Sequence, residues 1–229
     1  MTDRMGLARK RLARIAGAGS LLAGGIGASV LLSGGPAQAA ACSGTPVAAP
    51  TPCTLTGTLT VTAGALNLTS PTALAWTATE AGLDQQLVDP TTAHQSFVVN
   101  DSTGSGAGWH ITVTATTFTN GAFTLPNSGT FVLTGSTSSE AATTAPTAAC
   151  SSGATCILPT PTTTYPVAIT TAASSPPTVT IYNASLNTGL GSITIGIGAL
   201  PVGWWVNAPA SIRSGSYTST VNLAVVTAP

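Results

Sequence analysis

Three of the four tryptophans in this chain have the surroundings of possible ligand contacts. Trp109 ends a glycine-rich turn, and Trp204 and Trp205 are neighbours. An indole ring combines a flat apolar face with one N–H donor, which suits it to stacking on a sugar ring. Because adjacent residues of a strand point to opposite faces, at least one of Trp204 and Trp205 is predicted to be partly exposed. We therefore predict that the contact surface lies near this pair, with Trp109 as a further candidate.

The chain offers few groups for catalysis. Its only histidines are His94 and His110, and His110 falls on the polar side of an alternating stretch. A hydrolase needs a nucleophile with a base, or a pair of carboxylates, and the chain contains no G-x-S-x-G nucleophile motif. The sequence therefore predicts a non-catalytic protein without a cofactor, and a secreted hydrolase is kept as the third alternative.

Asp101 is the most suggestive carboxylate, because it opens the sequence Asp-Ser-Thr-Gly. Such a sequence is typical of a turn in which the carboxylate accepts backbone N–H groups. A calcium site needs several converging oxygens, for which only Asp84 and Asp89 are available as helpers. Zinc is disfavoured because neither pair of cysteines has the two-residue spacing of a zinc motif. We predict a structural turn at Asp101 and no metal site.

The turn at Asp101 leads into the most regular strand pattern of the chain. Apolar and polar residues alternate from residue 109 to residue 116, a period of two that is typical of a strand with one buried face. The apolar side consists of Trp109, Ile111, Val113 and Ala115, and the polar side of His110, Thr112, Thr114 and Thr116. We predict that the glycine-rich turn lets Trp109 enter the core, where its burial stabilises the fold by about 2–3 kcal/mol.

Short strands separated by turn residues follow one another along the rest of the chain. Thr and Val favour strands, whereas Gly and Pro mark turns. Besides the strand that begins at Trp109, strands are predicted at 54–62, 73–79, 97–100, 130–134, 165–170, 179–184, 192–200 and 217–227. A helical period is confined to residues 80–87. The series predicts an all-β fold, here a single antiparallel β-sandwich of the Greek-key or jelly-roll kind.

Residues 1–39 have the three parts of a secretory signal peptide. Five of the six Lys and Arg residues lie before residue 15, an apolar run spans 15–32, and the sequence Ala37-Gln-Ala39 provides a cleavage site. We predict cleavage after Ala39. A transmembrane helix is one alternative, although glycines interrupt the run, and a lipoprotein signal at Cys42 is another.

Residues 40–229 carry little charge. Their only base is Arg213, and their acids are Glu80, Asp84, Asp89, Asp101 and Glu140, so their formal charge is −4. Nucleic-acid binding is excluded because no basic patch exists that could displace counterions. Attachment to anionic lipid or to an anionic wall polymer through lysines is excluded for the same reason.

The four cysteines form two local pairs. Three connectivities are possible, and we favour Cys42–Cys53 and Cys150–Cys156 because each closes a short loop. Disulfides are the expected state after export. We predict a Pro-rich segment at 40–54 and one domain at 55–229, with a long Ser/Thr/Pro-rich excursion at 136–178. An interdomain linker is the alternative interpretation of that excursion.

Two stretches of the chain resemble the WxL cell-wall surface domain of Gram-positive bacteria. The first, residues 97–113, contains Asp101, a glycine-rich turn that ends in Gly108-Trp109, and an alternating strand with Ile111. The second runs from Gly215 through Tyr217 to Val221. The resemblance covers residues 55–229 and is that of a divergent member. The first motif reads Trp109-His-Ile rather than Trp-x-Leu, and Leu223 stands at the position of the second tryptophan.

The resemblance implies a secreted protein that is displayed on the cell surface and held there non-covalently by peptidoglycan. It also implies that Asp101, Gly108, Trp109, Ile111 and Tyr217 are motif residues that define the fold. The alternative function is a structural or adhesive surface subunit that assembles with other surface proteins. In neither case is the chain expected to be an integral membrane protein.

Overall fold

The computed structural model describes residues 40–41, 53–54 and 57–228. The chain divides into two compact units, residues 1–59 and residues 60–229. In the first unit, β1 (Ala40–Ala41) and β2 (Cys53–Thr54) form a short parallel pair. The predicted signal peptide at 1–39 lies outside the described residues, as does Cys42 of the predicted Cys42–Cys53 disulfide.

The second unit is built from short strands and one turn of 3-10 helix, Thr92–His94. Its strands are β3 (Leu66–Thr69), β4 (Gln85–Val88), β5 (Phe97–Asp101), β6 (Trp109–Ala115), β7 (Thr119–Asn120), β8 (Phe123–Thr124), β9 (Phe131–Thr134), β10 (Ala148–Cys150), β11 (Val167–Ile169), β12 (Val179–Ala184), β13 (Gly191–Ile195), β14 (Gly203–Ala208) and β15 (Val221–Thr227).

Three antiparallel sheets surround one hydrophobic core in this unit. Sheet I has the order β10-β13-β5-β3, sheet II the order β11-β9-β14-β4, and sheet III the order β12-β6-β15, while β7 and β8 form a separate hairpin. Side chains from all three sheets belong to the same buried cluster, in which Phe97 of sheet I lies edge-on to Trp204 of sheet II at 5.9 Å. The prediction of an all-β antiparallel sandwich is confirmed.

Strand β6 is the central strand of sheet III and has the predicted alternation. Its apolar residues Trp109, Ile111, Val113 and Ala115 are buried, and the residues between them are half-buried. Because β12 and β15 pair with its two edges, β6 is held in place over its whole length. The regular period in the sequence thus corresponds to the strand with the most complete set of neighbours in this sheet.

The two inner strands of sheet II, β9 and β14, are buried on both faces, whereas an antiparallel sheet commonly leaves one face to solvent. Val132 and Trp205 point away from the core and are nevertheless buried. Residues 136–146 lie over this face of β14: the carbonyl oxygen of Ser136 accepts a hydrogen bond from the Trp205 indole at 3.0 Å, and Glu140 accepts one from the Asn207 amide at 2.6 Å. A Cβ atom on Gly135 would collide with the backbone at residues 144–146, so the cover lies directly against the strand.

Two of the predicted strands are wrong. Residues 57–62 and 73–79 belong to no strand, whereas β3 and β4, which were not predicted, form at 66–69 and 85–88. The alternation in 57–62 is real, but no other strand of the described chain pairs with it. In 73–79 the Asp89 carboxylate accepts the N–H of Ala75 at 2.9 Å, so a side chain replaces a ladder partner. No helix forms at 80–87 either: residues 80–84 are irregular, and β4 begins at Gln85.

The excursion at 136–178 is part of the sandwich rather than a linker. It contributes β10 to the edge of sheet I and β11 to the edge of sheet II. The predicted disulfide between Cys150 and Cys156 is present, with the two Cα atoms 5.5 Å apart. It closes the turn that follows β10.

Candidate functional site

Trp109 lies in the core, where the glycine-rich turn delivers it. Its ring is fully buried, donates its Nε1–H to the carbonyl oxygen of Gly189 at 2.8 Å, and stacks on Tyr182 with the ring centroids 6.2 Å apart. Gly108 has φ +79°, and a Cβ atom there would collide with the carbonyl oxygen of Ala184. Only glycine suits this position. Trp109 is therefore unavailable to a ligand.

The stack on Trp109 removes Tyr182 from water as well. Desolvation by this burial raises the pKa of the Tyr182 phenol to about 12. Ile111, the next motif residue on the same face of β6, is likewise fully buried. The buried face of the motif therefore serves packing.

Asp101 uses its carboxylate to close a turn. Its Oδ1 atom accepts hydrogen bonds from the backbone N–H of Thr103 at 3.0 Å and from the Thr103 hydroxyl at 2.7 Å. The proposed helpers for calcium have other partners: Asp84 accepts the N–H of Ala210 at 2.7 Å, and Asp89 is bonded elsewhere. In the part of the chain that the structure describes, no three His, Cys, Asp or Glu side chains are grouped as metal ligands.

The prediction that Trp204 or Trp205 is partly exposed is wrong. Their exposed fractions are 1% and 6%. Trp204 points into the core and donates its Nε1–H to the carbonyl oxygen of His94 at 3.1 Å. Trp205 points to the other face and donates to the Thr134 hydroxyl and the Ser136 carbonyl oxygen, both at 3.0 Å. The rings do occupy opposite faces, but residues 136–146 cover the second face, so neither ring is open to a ligand.

His94 is paired with the buried carboxylate of Asp89, and its Nδ1 lies 2.7 Å from Oδ2. The same carboxylate accepts the N–H groups of Ala75 and Thr91, each at 2.9 Å. Burial alone would raise the pKa of Asp89, but the hydrogen bonds from Ala75, Thr91 and His94 outweigh it and hold the pKa below its usual value. His110 lies elsewhere, half-buried on β6. The His94–Asp89 pair therefore anchors residue 75.

A cleft opens beside the fourth tryptophan, Trp76. It consists of two cavities that share Trp76, Phe118 and Tyr217 as walls. The larger one, the arginine groove, has a volume of about 650 Å³ and is also lined by residues 77–80 and 212–216. The smaller one, the edge groove, has a volume of about 380 Å³ and is lined by residues 71–76 and by residues of the stretch 217–223. Both volumes lie in the usual range of ligand sites.

The Trp76 ring is held in a defined position although its segment belongs to no strand. Its Nε1–H donates to the carbonyl oxygen of Trp204 at 3.0 Å, and its ring lies edge-on to Phe118 and Phe131 at 5.9 and 5.7 Å. The preceding residue, Ala75, is held by Asp89. The ring is half-buried, so one part packs on the core while the other part lines the cleft.

Arg213, the only Lys or Arg after residue 14, lines the arginine groove. Its guanidinium lies 4.7 Å from the centroid of the Phe123 ring, a cation–π contact that restrains the side chain. Glu80 lines the same cavity, yet no ion pair joins it to Arg213 among residues 57–228. The groove thus combines aromatic walls with one cation and one carboxylate.

Sequence reasoning does not find this cleft. Tyr217 is a motif residue in the resemblance, but Trp76 falls in a wrongly predicted strand and carries no motif. The one usable signal is Arg213, because a lone cation in an otherwise nearly uncharged stretch invites a functional explanation. No local pattern connects it with Trp76, which lies far away along the chain.

Comparison of the chain with protein families, with curated proteins and with solved structures finds no match. The WxL assignment therefore stays a prediction that rests on residues 97–113 and 215–221. Among the residues that the structure describes, no helix has the length and apolar character needed to cross a membrane.

Proposed function

We propose that this chain is a secreted, non-catalytic surface protein of a Gram-positive bacterium, held non-covalently to cell-wall peptidoglycan through the arginine groove. The observation that carries the proposal is the meeting of Trp76, Tyr217 and Arg213 in one cavity of about 650 Å³. This site replaces the Trp204–Trp205 pair as the candidate contact surface.

Peptidoglycan offers sugar rings and stem-peptide carboxylates, and the arginine groove has a partner for each. The accessible parts of the Trp76 and Tyr217 rings suit stacking on a sugar ring. The Arg213 guanidinium suits paired N–H bonds to a carboxylate. Residues 40–229 have a formal charge of −4, so the charge of the chain as a whole does not favour an anionic wall. Affinity therefore depends on this local site.

Three further features support the surface location. The pattern of residues 1–39 is that of an export signal. The Cys150–Cys156 disulfide is suited to an oxidising compartment. The resemblance of residues 97–113 and 215–221 to the WxL domain supports attachment to the wall.

Co-sedimentation of the exported full chain with purified peptidoglycan sacculi tests the proposal. We expect Arg213→Gln to weaken binding about tenfold or more, as the loss of a charge-assisted hydrogen bond does. Trp76→Ala removes the stacking surface and should weaken it at least as much. Leu186→Ser, at an exposed position outside the groove, should leave binding unchanged.

Two outcomes contradict the proposal at different levels. Equal binding by Arg213→Gln and the parent chain would exclude the arginine groove as the site. Parent protein that stays in the supernatant at every concentration would exclude attachment to peptidoglycan altogether.

A structural or adhesive subunit that assembles with other surface proteins is the second candidate function. The observation that favours it is the free edge of strand β15, which pairs with β6 on one side only. A surface subunit of this kind needs no ligand groove, so the two candidates are separated by what the chain binds: wall fragments or protein.

A further inference from the structure

Strand β15 leaves one edge of its backbone without a partner. Among residues 57–228 it forms a ladder with β6 alone, and β3, which passes nearby, forms none with it. Backbone hydrogen bonds at Thr220 and Ala228 place the even-numbered residues of β15 in the hydrogen-bonded pairs with β6. The N–H and C=O groups of Val221, Leu223 and Val225 therefore point away from β6, and no backbone hydrogen bond of the described chain reaches them.

The sequence of β15 lacks two of the features that usually prevent strands from adding to a sheet edge, although residues 71–76 and β3 lie beside it. Its seven residues, Val-Asn-Leu-Ala-Val-Val-Thr, include no proline and no charge, and its register with β6 is uninterrupted. Such an edge is a template for another strand. The opposite edge of sheet III differs, because β12 has a register shift between Thr180 and Tyr182 that makes it irregular.

The edge groove lies beside the first part of this free edge. Val221 and Leu223 line it, and both also pack against the core. Leu74, Trp76 and Phe118 are the other large apolar side chains in its lining. A strand that added here would form backbone hydrogen bonds and would also bury apolar side chains against the core, which is the usual basis of strand addition to a sheet edge.

Residues 58–62 have the sequence of a strand but belong to none of the sheets formed by the described residues. Leu59 and Val61 are 86% and 80% exposed and alternate with threonines. In an extended chain, two residues of this spacing project from the same side about 7 Å apart. Val221 and Leu223 have the same spacing on β15. The distance between the side chains of Leu59 and Val61 therefore matches the distance between those of Val221 and Leu223. No charged residue occurs at 54–72 or at 215–229, so no ionic repulsion opposes their approach.

We propose that residues 58–62 of one copy add as an extra strand to the free edge of β15 in a second copy, with Leu59 and Val61 in the edge groove. The donor and the acceptor are different surfaces of the same chain. The contact is therefore head-to-tail, and it extends into linear assemblies unless the geometry closes a ring. Arg213 lines only the arginine groove, so Arg213→Gln tests binding to the wall without touching this contact, whereas Trp76, Phe118 and Tyr217 line both grooves.

Sedimentation velocity of the exported full chain over a range of concentrations tests this inference. We expect oligomers whose share rises with concentration, and an association at least about tenfold weaker in Leu59→Ser/Val61→Ser. Because both side chains are exposed, this double variant should keep its circular dichroism spectrum. Leu186→Ser removes another exposed leucine, 70% accessible, and should associate like the parent.

A strictly monomeric parent chain at all concentrations would overturn the inference, as would undiminished association of the double variant. A competing peptide gives a second measurement that needs no variant protein. A synthetic peptide with the sequence of residues 54–63 should dissociate the oligomers, whereas the same peptide with serine in place of Leu59 and Val61 should not. If the unsubstituted peptide leaves the oligomers intact, the proposed role of the β15 edge is contradicted.

Wall binding measured in parallel separates the two proposals. Arg213→Gln should lose binding to sacculi and keep its oligomers, and Leu59→Ser/Val61→Ser should do the reverse. Loss of association in Arg213→Gln would place the arginine groove in the contact and contradict the head-to-tail arrangement.

Discussion

Strand β14 and the segment around Trp76 both carry tryptophan, but they present it in opposite ways. Trp204 and Trp205 lie on a strand with ladders on both sides, and both rings are buried. Trp76 lies in a segment that forms no ladder with the described strands. Its indole donates one hydrogen bond, and the preceding residue, Ala75, is held by the Asp89 carboxylate. Strand β14 thus buries both of its indole rings, whereas the irregular segment leaves part of the Trp76 ring exposed in the cleft.

The difference shows that a strand pattern fixes the side to which a residue points but not whether that side is open. Trp205 points away from the core, as its position next to Trp204 predicts. Its burial comes from residues 136–146, which are remote in sequence and cross the outer face of sheet II. A binding surface in such a fold is therefore more readily found where the chain leaves the sheets.

The largest expected effect comes from removing the two hidden rings. We expect Trp204→Ala and Trp205→Ala each to lower the free energy of unfolding by about 3–5 kcal/mol, because each leaves a large cavity. Urea denaturation followed by circular dichroism measures the change. A loss at Trp205 of only about 0.5 kcal/mol or less, as at an exposed site, would mean that residues 136–146 do not cover it.

Asp89→Asn should have the next largest effect, about 1–3 kcal/mol, because a buried charged acceptor is lost. The pKa of Asp89 lies below its usual 3.8, so its stabilisation is present above that pH and is lost as the pH falls through the lowered pKa. Denaturation at a series of pH values from 6 down to about 2 should show this loss in the parent and a flatter profile in Asp89→Asn. Asp84→Asn, at an exposed carboxylate, is the matched control, and an unchanged acid profile in Asp89→Asn would contradict the assignment.

Trp76→Phe is a smaller change, made in the irregular segment. The variant loses the hydrogen bond to Trp204 but keeps an aromatic ring, so the free energy of unfolding should fall by only about 0.5–1.5 kcal/mol. Acrylamide quenching should decrease markedly, because Trp76 is the half-buried ring among the four tryptophans. Trp205→Phe should leave quenching nearly unchanged. If quenching decreased more in Trp205→Phe than in Trp76→Phe, the exposed ring would be the one on β14.

Arg213→Gln should change stability least, by about 0.5 kcal/mol or less, because the side chain is exposed and its contact with Phe123 is weak there. The same substitution should have a large effect on binding to sacculi. Arg213→Lys keeps the charge but not the paired N–H geometry, and it should bind with intermediate affinity. Denaturation and co-sedimentation on one preparation of each variant give both values.

The sequence predicts what depends on neighbouring residues. The alternation in β6, the need for glycine before Trp109, the turn closed by Asp101 and the short Cys150–Cys156 loop are all local, and each is found in the structure. The alternation at 57–62 is equally regular, yet no strand in the described part of the chain pairs with it, because pairing depends on a second strand that the local sequence does not specify.

The cleft could not be predicted for the same physical reason. It depends on the carbonyl oxygen of Trp204, which holds the Trp76 indole from 128 residues further along the chain, and on Asp89, which holds Ala75 across an irregular segment. The covering of Trp205 by residues 136–146 is a further contact of this kind. The alternation of apolar and polar residues in the sequence predicts neither the cleft beside Trp76 nor the covering of Trp205.

The arrangement of the strands has a consequence for when the domain acquires its structure. In sheets I to III, no two neighbouring strands are consecutive along the chain, and β6 at 109–115 pairs with β15 at 221–227. Each such ladder must close a long loop before its contacts are made, which slows folding. Sheet III stays incomplete until residues 221–227 are available. If the chain crosses a membrane with its N-terminus first, it should stay unfolded during almost all of the translocation. Folding should be completed only after the last strand, β15, has crossed.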